Sequence, residues 1–167
     1  MHSKAQRIGL AAAIATAAIG LGAGPAQAAK STMTLTIGNE SSPVLGYSWG
    51  VSNSGTTHTG GGGGAGKANF QDLSLSRVAD AMSPTLVGYV ATGEHLEQVG
   101  LTFTNGIFAS SYCLKDALVS SLTTGASAGE DRPSENVTIN FARITYKVGT
   151  SSFSWSIVDN GPDANPC

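Results

Sequence analysis

The chain has 167 residues, a formal net charge of −2, and only 12% charged residues. This composition excludes the basic face that a protein needs in order to follow nucleic-acid phosphates. The length is that of one domain with a hydrophobic core.

The first 28 residues predict a secretory signal peptide. Lys4 and Arg7 precede an apolar run from Ile8 to about Leu21, and Ala26 and Ala28 supply the small residues of a cleavage site. The run is too short to span a bilayer core, and no later segment is apolar enough, so no membrane association is expected. Cleavage after Ala28 removes two cations and no acids, which leaves a secreted domain of residues 29–167 with a formal charge of −4.

Apolar and polar residues alternate with a period of two along most of this domain, which is typical of half-buried β-strands. The apolar positions are Met33-Leu35-Ile37, Leu45-Tyr47-Trp49-Val51, Val99-Leu101-Phe103, Val137-Ile139-Phe141, Ile144-Tyr146-Val148 and Phe153-Trp155-Ile157. The phase slips by one residue after Phe141, which predicts a β-bulge at Ala142–Arg143. Short strands separated by Gly, Asn and Ser turns predict a mainly β fold, an antiparallel two-sheet barrel or sandwich.

One segment predicts a short helix from Pro84 to Thr92. Ser83 suits the N-cap, proline suits the first helical position, and Gly93 suits the residue just past the end. Leu86, Val87 and Val90 fall on one face, which we expect to pack against the sheet.

Two irregular stretches are long enough to be functional loops. Ser52 to Gly66 contains five consecutive glycines, Gly60 to Gly64, and Thr123 to Pro133 contains the charged run Glu130-Asp131-Arg132.

Two cysteines remain after processing, Cys113 and Cys167. In an exported protein they predict a disulfide that ties Cys167 to an internal strand, against the alternative of two free thiols. The bridge would close a loop of about 55 residues, worth about 4 kcal/mol in the chain-entropy account.

The segment Gly46-Tyr47-Ser48-Trp49-Gly50 matches the G-x-S-x-G pattern of a hydrolase nucleophile, with Asp72 or Asp80 and then His95 downstream. That motif requires a sharp turn from strand into helix, whereas the alternation here continues from Leu45 to Val51. A serine hydrolase is therefore a disfavoured alternative, and Ser48 is expected to point outward from a strand.

Two further motifs are weak. Gly61 to Ala68 resembles a phosphate-binding loop, but Ala68 has no hydroxyl for Mg²⁺, and Phe70, Leu73 and Leu75 predict a strand where a helix is required. His58 and His95 have no neighbouring ligands at metal-binding spacing. We expect neither a metal nor a cofactor.

Several segments, in the same order along the chain, resemble the haemolysin-coregulated protein family, the tube subunits of the bacterial type VI secretion system. They are Tyr47 to Gly55, Gly60 to Lys67, Gln71 to Ser74, Ser83 to Leu86, the stretch that begins with Val119-Ser120-Ser121 and ends with Gly129-Glu130-Asp131-Arg132, and Glu135 to Ala142.

The resemblance implies a two-sheet β-barrel with one flanking helix, no catalysis, and hexameric rings that stack into a hollow tube carrying effector proteins. It also implies that the Gly-rich segment, with His58, Gly60, Gly61, Gly62, Gly63, Gly64, Gly66 and Lys67, makes contacts between rings. Glu130, Asp131 and Arg132 form the second candidate interaction loop.

The signal peptide, Cys167 and the tail from Asp159 to Pro166 depart from the family pattern. They favour a tube-type subunit exported through the general secretory pathway. A secreted monomeric β-barrel that binds a ligand through its loops is the main alternative.

Overall fold

The computed structural model describes residues 30–55 and 66–167, and these residues confirm the predicted mainly β, antiparallel class. The elements are β1 (Thr32–Ile37), β2 (Glu40–Pro43), β3 (Gly46–Ser48), β4 (Val51–Asn53), β5 (Ala68–Phe70), β6 (Leu73–Val78), α1 (Ser83–Thr92), β7 (His95–Thr104), β8 (Ala109–Gly125), β9 (Ser134–Val148), β10 (Ser151–Ser156) and β11 (Gly161–Pro162).

The two longest strands, β8 and β9, organise the fold. They pair with each other along nearly their whole length, and β7 and then β1 extend the sheet beyond β8. On its other edge β9 pairs first with β6 and then, further along, with β10. The long β8–β9 hairpin is therefore shared by two neighbouring parts of the sheet.

The chain between β2 and β3 closes the barrel. β2 pairs with β1, whereas β3 pairs with β6, so one short segment changes partners. The Leu45 N–H donates to the Ser76 carbonyl oxygen at 2.8 Å at the point of change. The barrel thus runs from β2 through β1, β7, β8, β9 and β6 back to β3, and paired strands leave few open edges.

The core lies inside this barrel and consists of the inward positions of the alternating segments. Leu35, Leu101, Val137 and Ile139 are at most 1% exposed, as their phase predicts. Among the other buried residues are Ile37, Leu73, Leu75, Val99, Leu114, Val119 and Ile144.

The alternation predicted from Leu45 to Val51 is wrong at both ends. Leu45 is 62% exposed and Val51 is 52% exposed. Leu45 lies between β2 and β3, where the chain stops pairing with β1 and begins to pair with β6. Val51 begins β4, which leaves the barrel and pairs with β5 as a separate hairpin. Phe153, on β10 beyond the barrel, is also 48% exposed rather than inward.

The predicted phase slip in β9 is present, since Phe141 and Ile144 are both buried. The predicted bulge at Ala142–Arg143 is wrong, because the strand register is the same on both sides of the slip. It is set there by the pairs Lys115–Arg143 and Ala117–Phe141.

The inward-facing positions of β8 shift by one residue at the same level, since Leu114 and Ala117 are both buried. Because both strands shift together, their register stays unchanged. Asp116, between the two pairs, has φ 50°, a left-handed conformation that is uncommon outside glycine. The register shift in this hairpin lies instead on β8, between Val119 and Ser121.

The helix begins one residue earlier than predicted, at Ser83, and Met82 occupies the N-cap. Gly93 ends it with φ 65° and donates its N–H to the Tyr89 carbonyl oxygen, as expected of a C-terminal glycine. Leu86 is buried, but Val87 is 50% exposed, so the predicted three-residue apolar face is wrong at Val87. Across the described ranges, no helix has the length and apolar character to cross a bilayer.

Candidate functional site

The Gly-rich segment joins the two strands of the β4–β5 hairpin. Val51 pairs with Phe70 and Asn53 with Ala68. Beyond those pairs the Asn53 side chain bridges the two arms, donating to the Gly66 carbonyl oxygen at 3.0 Å and accepting from the Gly55 N–H at 2.7 Å. Asn53 therefore links the two arms at the base of the loop.

Only part of the predicted loop site falls within the described residues. Gly66 is half-buried against the opposite arm, and Lys67 is exposed. His58 and Gly60, Gly61, Gly62, Gly63 and Gly64 lie outside the described residues, so their role in contacts between subunits remains a prediction.

An aromatic cluster anchors the hairpin to the barrel. The Trp49 ring stacks on Phe70 at 6.3 Å between centroids and meets Tyr112 and Tyr146 edge-on at 5.7 and 6.1 Å. Tyr112 and Tyr146 are directly paired on β8 and β9 and stack at 4.7 Å. Aromatic contacts of this kind add stabilisation beyond the area that they bury.

The Tyr47 and Tyr112 hydroxyls complete the cluster with a 3.1 Å hydrogen bond. Burial, together with the Tyr47 hydroxyl, raises the pKa of Tyr112, and burial next to Tyr112 raises that of Tyr146. These phenols therefore stay protonated and neutral at physiological pH. The sequence placed Tyr47 and Trp49 on one face but gave no indication that they support the hairpin.

The second predicted loop connects β8 to β9. Glu130 stabilises the turn of this loop, because its carboxylate accepts the Ser127 N–H at 3.0 Å. Gly129 adopts the positive φ of 97° that the turn requires. Asp131 and Arg132 are exposed. Glu130 thus has a local structural role, and Asp131 and Arg132 are available to a partner.

The two loops lie at opposite ends of β6. The hairpin strand β5 leads into Leu73 at the start of β6, whereas Val78 at its end pairs with Ser134, just past the second loop. A six-residue strand separates its ends by roughly 17 Å. The described residues at the base of the Gly-rich loop and those of the second loop are therefore well separated on each molecule.

A buried charge cluster that was not predicted from the sequence supports the base of the second loop. Arg77 is 0% exposed and lies between the carboxylates of Asp80, with which it forms a hydrogen-bonded ion pair, and Glu135, at 3.6 Å. Ser83 donates to Glu135 at 2.9 Å. The cluster joins β6, the start of α1 and the start of β9.

Asp80 links this cluster to β2 by accepting the Ser42 hydroxyl at 2.7 Å, and it also accepts the Met82 N–H at 2.8 Å. Burial acts to raise the pKa of Asp80, but these two hydrogen bonds and the neighbouring Arg77 outweigh it, so the pKa is lowered. The carboxylate is therefore charged at neutral pH.

The disulfide between Cys113 and Cys167 is present, with 6.3 Å between the Cα atoms. It attaches the end of the sequence to β8, as the cysteine count predicted.

The hydrolase candidates are not brought together. Ser48 is exposed on β3, Asp72 accepts the Asn140 amide at 2.9 Å, and Asp80 belongs to the buried charge cluster. His95 is exposed at the start of β7, opposite Leu118. The chain after Ser48 continues into strand β4 rather than a helix.

The other two motifs have no site either. Ala68 begins strand β5, so the near match to a phosphate-binding loop lacks its helix. Within residues 30–55 and 66–167, no three His, Cys, Asp or Glu side chains lie close enough to hold a metal ion.

Comparison with known proteins gives a consistent result. Residues 33–148 match the family model described as "Type VI secretion system effector, Hcp". Protein hcp1 of Pseudomonas aeruginosa is 47% identical over 83 residues, which are 47% of this chain and 51% of that protein. The match thus spans about half the length of this curated relative.

Solved structures extend the similarity over most of the described chain. A type six secretion system protein superposes with a TM-score of 0.70 at 25% identity, over 79% of this chain and 99% of the other. Hcp1 from Salmonella typhimurium superposes with a TM-score of 0.65 at 21% identity, over 80% of this chain and 99% of the other.

Proposed function

Because the chain belongs to the Hcp family of type VI secretion system proteins, we propose that it is a non-enzymatic structural subunit that forms hexameric rings. The observation that carries the proposal is the extent of the match: the family model covers the barrel from β1 to the end of β9. Effector proteins are the cargo that such a tube would carry.

The placement of the loops supports stacking of the rings into a tube. A head-to-tail stack brings one face of each subunit against a different face of the next, so each subunit needs two unlike surfaces. The β4–β5 hairpin, which carries the Gly-rich segment, and the Glu130–Arg132 loop adjoin opposite ends of β6, which supports their assignment as such a pair. Glycines let backbone groups of neighbouring subunits approach closely.

The absence of catalysis is part of this proposal. Ser48 and His95 are exposed on different strands of the described structure, and the side chains of Asp72 and Asp80 bond Asn140 and Ser42. A tube subunit needs stable, repeated contacts rather than a reactive group.

We also propose that the subunit is exported through the signal peptide of residues 1–28. The intact mass of the protein recovered outside the cell should correspond to a chain beginning at Ala29. A mass that includes residues 1–28 would contradict cleavage after Ala28.

Electron microscopy of purified residues 29–167 tests the role of the loop. Rings and stacked rings are expected for the wild type, and rings without stacks for Gly62→Val/Gly63→Val, because the added bulk separates backbones that must meet. Gly88→Val is a suitable control, since Gly88 lies on α1 outside both loops and an added Cβ there meets nothing within 4 Å.

Circular dichroism should be the same for all three proteins. Stacks in the double variant would contradict the role of the loop. A wild type without rings would favour the alternative, a secreted monomeric binding module.

A further inference from the structure

Three cations lie together on the outer face of the large sheet. Lys115 and Arg143 are paired across β8 and β9, and Lys147 lies further along β9 opposite Ser111. Their side chains point outward because the alternating positions, such as Leu114 and Ile144, face the core. We call Lys115, Arg143 and Lys147 the cationic strip.

The C-terminal tail, residues 159–167, covers this strip with oxygen atoms. Lys115 Nζ donates to the Asn165 carbonyl oxygen at 2.8 Å, and Lys147 Nζ donates to the main-chain oxygen of Cys167 at 3.0 Å. Arg143 Nε lies 3.9 Å from the Asp163 carboxylate, while Nη1 is 3.4 Å from Asp116. Every cation of the strip therefore has a partner in the tail.

The tail also covers polar groups of the sheet. Thr145 points outward between Arg143 and Lys147, yet it is only 2% exposed. The Cys167 N–H donates to its hydroxyl at 3.3 Å, and that hydroxyl also bonds Ser154 at 3.1 Å. The tail thus occupies a continuous surface that would otherwise be open to solvent.

Residues 159–163 of the tail are held by the pairing of β11 with β10 and by the Asp163 N–H, which donates to the Ser154 carbonyl oxygen at 3.3 Å. Non-covalent contacts hold residues 164–167 only weakly, because these residues are exposed and bury little apolar area, and exposed charge contacts contribute little in water. Arg143 Nε and Asp163 Oδ2 are buried without a hydrogen-bond partner among the described residues, which disfavours the docked state. The disulfide to Cys113 is the contact that keeps residues 164–167 in place.

We propose that the Cys113–Cys167 disulfide is a redox latch for residues 164–167 of the tail. When these residues leave Lys115 and Lys147, the uncovered cationic strip binds an acidic segment of a partner protein. A dithiol reductant opens the latch by supplying two electrons and two protons. The S–S bond breaks, Cys113 and Cys167 become thiols, and the dithiol becomes a disulfide. The tail lies beyond residue 148, where the family match ends, and the inference does not depend on ring formation.

The tail itself indicates what the strip recognises, because it presents a carboxylate to arginine and main-chain oxygens to the two lysines. An extended segment with several Asp or Glu residues offers the same groups with more negative charge. The neighbouring outer positions on β1, β7 and β8 are uncharged hydroxyls, in the row Thr34, Thr102 and Ser111 that ends at Lys147. They can donate further hydrogen bonds to carboxylates.

Binding of a fluorescently labelled hexaglutamate peptide to residues 29–167 tests the proposal. The oxidised protein should bind at least tenfold more weakly than the dithiol-reduced protein or the Cys167→Ser variant, which cannot form the disulfide that holds residues 164–167. Binding should weaken as salt is added, because it depends on charge.

Two further variants identify the surface. In the Cys167→Ser background, Lys115→Glu/Lys147→Glu should weaken binding at least tenfold. The matched control Lys30→Glu/Lys67→Glu makes the same change in net charge at two exposed lysines elsewhere and should change it less than threefold. Equal affinity of oxidised and reduced protein would overturn the latch. No binding by the freed forms, or equal losses in the two double variants, would overturn the strip as the binding surface.

Discussion

Arg77 is a fully buried cation held between two carboxylates. Its replacement by leucine leaves Glu135, itself 3% exposed, without a countercharge. Removal of one partner from a buried pair typically costs about 3–5 kcal/mol. Urea unfolding of Arg77→Leu should show a loss of that size, whereas Arg132→Leu, at an exposed position, should stay within about 0.5 kcal/mol of wild type. A loss below about 1 kcal/mol in Arg77→Leu would contradict the structural importance of the cluster.

Asp80 makes stability depend on pH in the acid range. Its pKa is lower in the folded protein than its ordinary 3.8, so the unfolded chain takes up the proton first as the pH falls. The contribution of the carboxylate is complete above the unfolded pKa and is lost as the pH falls through the folded pKa. The difference in unfolding free energy between wild type and Asp80→Asn should be constant from pH 7 to about 5 and shrink below it. A difference that does not change down to pH 3 would contradict this assignment.

At the scale of residues, the sequence predicts apolar positions better than buried polar ones. Leu35, Val137 and Ile139 are buried because period-two alternation is a direct consequence of strand geometry. Arg77 follows Leu73 and Leu75 in the same phase, and Glu135 precedes Val137 in phase. Two opposite charges at inward positions of two strands are a sequence signal for a buried pair, but only the pairing of β6 with β9 identifies them as partners.

Gly66 is a position at which the β4–β5 hairpin has no room for a side chain. A Cβ there would lie 2.4 Å from the Gly55 backbone nitrogen and 2.6 Å from Ser54 Oγ, so the two arms must separate. Gly66→Ala should leave the melting temperature of the barrel within a few degrees of wild type, yet abolish stacked rings in electron micrographs.

Gly88→Ala is the matched control for that change. An added Cβ at Gly88 meets nothing within 4 Å, and alanine in a helix stabilises by about 0.5–1 kcal/mol relative to glycine. Stacking should be unchanged in this variant. Normal stacking in Gly66→Ala would show that the geometry of the hairpin base is unimportant for contacts between rings.

At the scale of elements, the strands and the helix are predictable, but the points where the chain changes partners are not. Gly93 ends α1 as predicted because only a left-handed residue closes the helix there. The predicted inward positions of Leu45 and Val51 are wrong because local alternation carries no information on which strand lies alongside. The sequence predicts a bulge in β9 because the slip is visible there, whereas the structure shows that β8 shifts its inward-facing positions at Asp116, at the same level.

The whole molecule combines a barrel that the family model matches with a tail beyond that match. Cysteine count predicted the disulfide, since two cysteines in an exported chain have one way to pair. The cationic strip beneath the tail was not predictable, because Lys115, Arg143 and Lys147 become neighbours only through the register of β8 and β9.

Ring formation is the central claim at this scale, and the mass of the assembled protein tests it most directly. Residues 29–167, with the disulfide formed and at tens of micromolar, should elute in size-exclusion chromatography as one species. Light scattering should give it six times the subunit mass. A species with the mass of a single subunit under these conditions would contradict the proposed ring.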